Sequence, residues 1–217
     1  MIKNECKSET LFVGMLLAVV GGFLDAYSYI LRGHVFANAE TGNMVLFGIK
    51  LSEGNISGAL VYLVPIISFF MGIMIAEVIK SKYKNKQVHW RLIIIIIEMV
   101  ALAIVAFLPQ YLDSIANAMI SFICALQVET FRKVNGNPYA TTMCTGNLRS
   151  GTESLHHYFD TKDKIYLNKS LQYFFIISIF IIGACIGTIL SNTMGDISIL
   201  FSIIPLAVVA YNVKDCK

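Results

Sequence analysis

The chain has 217 residues, of which 56% are apolar and only 14% charged, with a mean hydropathy of +0.68. That charge fraction is about half that of a water-soluble domain, which excludes an ordinary soluble enzyme. The net charge of +3 gives no reason to expect a nucleic-acid partner.

Six apolar stretches follow one another at 11–31, 57–79, 92–108, 114–131, 168–191 and 197–213. Each approaches the ~20 residues needed to cross about 30 Å of hydrocarbon. Lipid leaves no water for the backbone, so each is expected to be a helix. Lys3 and Lys7 precede the first stretch in the manner of a signal peptide, but no small-x-small cleavage site follows and five more spans do. The first stretch carries Asp25. After it, RGHVFANAE (32–40) is rich in turn-formers and lacks helical periodicity, and it leads into Thr41-Gly42-Asn43 and the short apolar run MVLFGIKL. Residues 41–51 reach only about 16 Å as a helix, half a crossing, so 32–52 is predicted to be re-entrant.

The second span contains Pro65, the small pair Gly72-x-x-x-Ala76 and, near its end, Glu77. The basic connection with Lys80, Lys82, Lys84, Lys86 and Arg91 follows, and then a third span in which Glu98 interrupts a run of isoleucines and is expected to face inward. Glu129 lies ~15 residues into the fourth span. KVNGNPYATTMC (133–144) contains Pro138 and reads as irregular chain returning from Thr145 as a helix that ends near His157, a second re-entrant segment at 133–157. The fifth span has Gly183-x-x-x-Gly187, matching the small pair of the second, and the sixth has Pro205. Glu153, His156 and His157 read as a polar helix end, with no metal expected. Cys6, Cys124, Cys144, Cys185 and Cys216 are scattered and odd in number, so neither a disulfide framework, a zinc site nor a cofactor is expected.

Thr-Gly-Asn occurs at 41–43 and again at 145–147, and an intramembrane acid stands 16 residues before each, Asp25 and Glu129. Acid and tripeptide therefore repeat as one unit at a constant offset of 104. The basic residues orient the chain. With the 80–91 connection cytoplasmic, threading places 15 of the 17 basic residues inside, leaving only Arg32 and Lys50 outside, with both termini cytoplasmic. Three spans per half is an odd number, so the halves 1–110 and 111–217 are predicted to form one membrane domain as a 3+3 inverted repeat. The fold class is thus an all-α membrane protein of six transmembrane helices plus two short re-entrant half-helices.

In this layout Thr41, Gly42, Asn43, Thr145, Gly146 and Asn147 cap two half-helices near the midplane. Their N–H groups and positive dipole ends suit an anionic or polar solute. Asp25 and Glu129, mirrored about the midplane, together with Glu40 are the candidate coupling or gating acids; bracing the loops beside them is the structural alternative.

The segments GGFLDAYSYILRGHVFANAETGN and QVETFRKVNGNPYATTMCTGN resemble the YoaK-type family of uncharacterised bacterial inner-membrane proteins, a family of unknown function. The most specific matches are Gly-x-x-Asp-Ala at 22–26 and Phe-x-x-x-x-Thr-Gly-Asn at 36–43. Glu40 stands where that family commonly has an apolar residue. The resemblance implies a multi-spanning plasma-membrane protein and supplies no activity. The residues themselves favour a small secondary transporter of a polar or anionic solute, proton-coupled, and a homodimer is compatible with the small-residue stripes. The alternatives are a channel built on the same turns and a non-catalytic membrane scaffold. An enzyme is not expected, because no nucleophile or ligand set converges.

Overall fold

The computed structural model describes residues 9–83, 89–139 and 144–214. Eight α-helices dominate it: α1 (Leu11–Leu31), α2 (Glu40–Ser52), α3 (Ile56–Tyr83), α4 (Trp90–Val105), α5 (Asp113–Thr130), α6 (Cys144–Thr161), α7 (Lys164–Met194) and α8 (Ile203–Val213). The protein is an all-α membrane protein. Among the described residues, four stretches are long and apolar enough to cross a bilayer, Leu11–Leu31, Ile56–Tyr83, Gln110–Thr130 and Lys164–Val213.

The third apolar stretch, and the last one within Lys164–Val213, are shorter as helices than the sequence suggests. Helix α4 has 16 residues, about 24 Å at 1.5 Å per residue. The last stretch is divided between a 3-10 segment, Gly195–Ser202, and the 11 residues of α8. Gly195, at φ 62°, makes the break after α7.

Local chemistry accounts for the helix ends. Thr10 caps α1 by accepting the Val13 N–H at 3.4 Å, and Asp163 caps α7 by accepting the Ile165 N–H at 2.9 Å. Beyond α1, Gly33 and His34 take positive φ values of 81° and 59°, which turns the chain into the irregular stretch 32–39.

Helix α1 lies along α7, and α3 along α5; α2 packs on α3, and α6 on α7. Helix α4 touches α5 and α8, and α1 also touches α8. The small residues sit at these crossings. A Cβ on Gly72 would lie 2.5 Å from the Phe122 carbonyl oxygen of α5, and one on Gly187 would lie 2.8 Å from the Phe23 carbonyl oxygen of α1. Gly22 meets the Phe180 carbonyl and Gly183 the Val19 carbonyl in the same way. The buried core gathers Leu17, Leu24 and Tyr27 of α1 with Leu102 of α4, Ile120 of α5 and Leu206 of α8.

Two local expectations are corrected. Both helices begin before their tripeptides, at Glu40 and Cys144, so Thr41 and Thr145 stand inside the first turn instead of capping it; the residue in the cap position of α2 is Ala39. At α2 the carboxylate of Glu40 suits the positive end of the helix dipole, which favours starting the helix there. Residues 133–138, expected to be irregular, contain a hairpin, Lys133–Val134 paired antiparallel with Asn137–Pro138. Asn135 and Gly136 turn it with φ of 48° and 77°, as an Asn-Gly turn requires. The hairpin is docked on the start of α1, because the Asn135 N–H donates to the Glu9 carbonyl at 2.7 Å and the Tyr139 hydroxyl to that of Gly14 at 3.2 Å.

Candidate functional site

A cavity of about 650 Å³ lies between α1, the 32–39 stretch, the start of α2, the start of α6 and the C-terminal half of α7. Of the residues singled out in the sequence, Asp25, Glu40, Thr41, Thr145 and Gly146 all line it. Residues 104 positions apart in the chain thus face one space. Helix α1 contributes Asp25 and Tyr29, the connecting stretch contributes Phe36 and Asn38, and α7 contributes Phe180, Ala184 and Thr188.

Asp25 is half-buried and accepts the Asn38 N–H on Oδ1 at 2.7 Å; the amides of Ala37 and Ala39 also face its carboxylate. A carboxylate that gathers successive backbone amides fixes the chain carrying them. Asp25 therefore holds the 37–39 stretch in place while remaining on the cavity wall. Asn38 donates from Nδ2 to the Gly21 carbonyl at 3.2 Å, and its Oδ1 has no partner among the described residues.

Glu40 is 8% exposed. Its Oε2 accepts from Asn43 Nδ2 at 3.0 Å, its Oε1 has no partner among the described residues, and Ser121 of α5 stands beside it. A buried acceptor without a donor is a position where a proton, water or ligand would be gained.

Within the first tripeptide the three residues do different things. Thr41 is exposed on the cavity. Gly42 lies under the Phe36 ring, where a Cβ would come within 2.9 Å of it. Asn43 is fully buried and clamps the same residue, accepting the Phe36 N–H at 3.0 Å and donating to the Phe36 carbonyl at 2.8 Å. Phe36 in turn stacks on Tyr29 with ring centroids 5.0 Å apart. The amides of Glu40 and Gly42 already bond to the Asn38 and Ala39 carbonyls, which among the described residues leaves the Thr41 amide of that first turn. In the second tripeptide Thr145 and Gly146 line the cavity, whereas Asn147 is buried away from its wall.

Glu129 is elsewhere. Its carboxylate accepts from Lys80 at 3.3 Å and Arg132 at 3.1 Å, and it lines a different cavity from Asp25 and Glu40. Residues 140–143, the counterpart of the stretch that Asp25 holds, lie outside the described residues. Glu98 is fully buried in α4, and neither of its oxygens has a partner among the described residues. His156 pairs with Asp160 at 3.0 Å and Arg149 with Glu153 at 2.8 Å on the exposed face of α6. Among the described residues no three His, Cys, Asp or Glu side chains gather as metal ligands would.

Sequence reasoning missed Tyr29, Phe36, Asn38 and the α7 wall. The 32–39 stretch was legible as irregular, and an Asn within it was a reasonable lining candidate. Nothing in the sequence of α7 marks Phe180 or Thr188 as facing a polar site.

The helices and this cavity define a multi-pass helical membrane protein in which two repeated polar helix starts open on one space. The chain belongs to the family described as "Protein of unknown function (DUF1275)", whose model matches residues 13–212. It is similar to the "UPF0700 transmembrane protein YoaK" of Bacillus subtilis (strain 168), with 25% identity over 181 residues spanning 79% of each chain. No solved structure matches.

Proposed function

We propose that the protein is a small secondary transporter of a polar or anionic solute in the bacterial inner membrane, coupled to protons through Asp25 and Glu40. The observation that carries this reading is the convergence of Thr41, Thr145 and Gly146 with the two acids on one cavity. The helix-start amides at Thr41 and in the first turn of α6 would receive the anionic part of the solute. Glu40, which has Ser121 beside it and whose Oε1 has no partner among the described residues, would exchange the proton. No covalent step is needed, and the protein is read as a carrier, not an enzyme.

The layout behind this reading is six spans, with α2 and α6 re-entrant, in two inverted halves. Support comes from the packing. If α1–α4 are exchanged with α5–α8 in order, the α1–α7 contact becomes α5–α3, α2–α3 becomes α6–α7, and α1–α8 becomes α5–α4, all of which occur. The α4–α8 contact maps onto itself. The basic connections would then lie in the cytoplasm together with both termini. A cysteine at Tyr111, 85% exposed, would be labelled from outside the cell, and one at Lys82 would not.

Purified protein in liposomes tests the function. Saturable uptake of a small organic or inorganic anion, driven by an inward proton gradient and lost on collapsing it, is the expected result. Non-saturating flux would make the same cavity a pore, and no flux for any solute would make it structural.

A further inference from the structure

A second cavity, of about 530 Å³, opens where the end of α3, the start of α4 and the chain leaving α5 come together. Lys80, Arg91, Arg132 and Lys133 line it, against two acids, Glu9 and Glu129. The acids are shared. Glu129 serves both Lys80 and Arg132, and Arg91 reaches Glu9 at 3.0 Å while its guanidinium lies 5.3 Å from the Trp90 ring centroid. This arrangement holds the cations in place without exhausting the donors of Arg132. All contacts of Arg132 to Glu129 and Glu77 are made through Nη1, with 63% of its side chain exposed, and the Lys133 ammonium has no partner among the described residues. The wall is completed by Trp90, Phe131 and Pro138.

We propose that this cavity binds a phosphate group, presented by the head of an anionic phospholipid or as free phosphate. Phosphate has several acceptor oxygens, which match an arginine fork beside a lysine better than a single carboxylate does. The volume falls in the range of about 300–1,000 Å³ typical of small-molecule sites and leaves room for the glycerol beside a lipid phosphate. Trp90 and the apolar wall are the surroundings a lipid headgroup meets at a membrane interface, and basic pockets at helix ends are suited to anionic heads. The inference is independent of the transport reading.

The test uses the purified full-length protein in detergent. Its thermal stability and bound lipid, by native mass spectrometry, are measured with phosphatidylglycerol, phosphatidylcholine or inorganic phosphate. Phosphatidylglycerol is expected to bind and stabilise, and phosphatidylcholine not. In the double variant Arg132→Gln/Lys133→Gln, whose side chains are exposed, binding is expected to weaken at least about tenfold through loss of charge-assisted hydrogen bonds. Glu129→Gln, which removes the competing acceptor, is expected to bind more tightly. Stabilisation by inorganic phosphate that competes with the lipid would support the site with the free anion as its ligand. Equal binding of the two lipids with no phosphate effect, or wild-type binding by the double variant, would overturn the proposal.

Discussion

Arg32 and Asp113 stand 81 positions apart, yet their side chains meet at 3.0 Å with the guanidinium wholly buried. Asp196 lies 3.5 Å from the same group, and the Tyr27 hydroxyl and the carbonyls of Val105 and Leu108 accept its remaining donors. The carbonyl of Arg32 accepts from Asn117 Nδ2 at 2.7 Å. One side chain therefore ties the end of α1 to the ends of α4, α5 and α7. A planar fork with five donors is needed to reach partners in so many directions.

Replacing Arg32 by Gln is expected to destabilise the protein by about 3–5 kcal/mol, because two aspartates and two carbonyls lose their buried partner. Arg32→Lys keeps the charge but not the fork and is expected to fall between. Thermal unfolding in detergent measures both. Wild-type stability for the Gln variant would mean that the knot contributes nothing.

At Asp25 the amide and the alanine variants separate bracing from coupling. Asp25→Asn can still accept the Asn38 N–H, so expression and melting are expected to stay near normal while transport no longer follows the proton gradient. Asp25→Ala leaves buried amides without an acceptor and is expected to lose about 1–3 kcal/mol. Full coupling in the Asn variant would confine Asp25 to bracing. Glu129→Gln and Glu129→Ala are expected to leave proton coupling unchanged, since that carboxylate belongs to the Lys80–Arg132 cluster and not to the Asp25 cavity. Equal phenotypes at the two acids would contradict this difference.

The Phe36 clamp gives a third outcome. Asn43→Ala removes both hydrogen bonds to the Phe36 backbone, and the expected loss is about 1–3 kcal/mol. Gly42→Val drives a side chain into the Phe36 ring and is expected to close or distort the cavity. Thiol labelling of a cysteine placed at Thr41 would report it, slowing in both variants. Unchanged labelling would show that Phe36 does not position the wall.

Thr41 and Thr145 line the same cavity. With the native cysteines replaced by serine, cysteines at these two positions are expected to be joined by a short bifunctional thiol reagent within one chain, and solute transport is expected to stop. A pair made of cysteines at Thr41 and Glu129 is expected not to join. Cross-linking of the second pair and not the first would place the cavity wrongly.

Much of this was legible in the sequence. Apolar run length and charge scarcity identify a helical membrane protein because hydropathy is additive along the chain and needs no partner. The small pairs at Gly72 and Gly183 were legible for a related reason: a residue that brings no bulk permits close approach whichever helix arrives. The acids before each Thr-Gly-Asn were visible by their constant offset, and five of the nine proposed site residues line the cavity.

What only the tertiary structure decided is which way each residue faces. Successive residues on a helix point about 100° apart, so Thr41, Gly42 and Asn43 cannot share a role, and the three divide between cavity, ring contact and clamp. Asp25 and Glu129 occupy matching places in the repeat, but Lys80 and Arg132 stand beside only one of them. The Arg32 knot is likewise made by residues from four parts of the chain, and no local pattern marks it. Composition and spacing settle what must be buried in lipid; partners brought together from distant positions settle what each polar group does there.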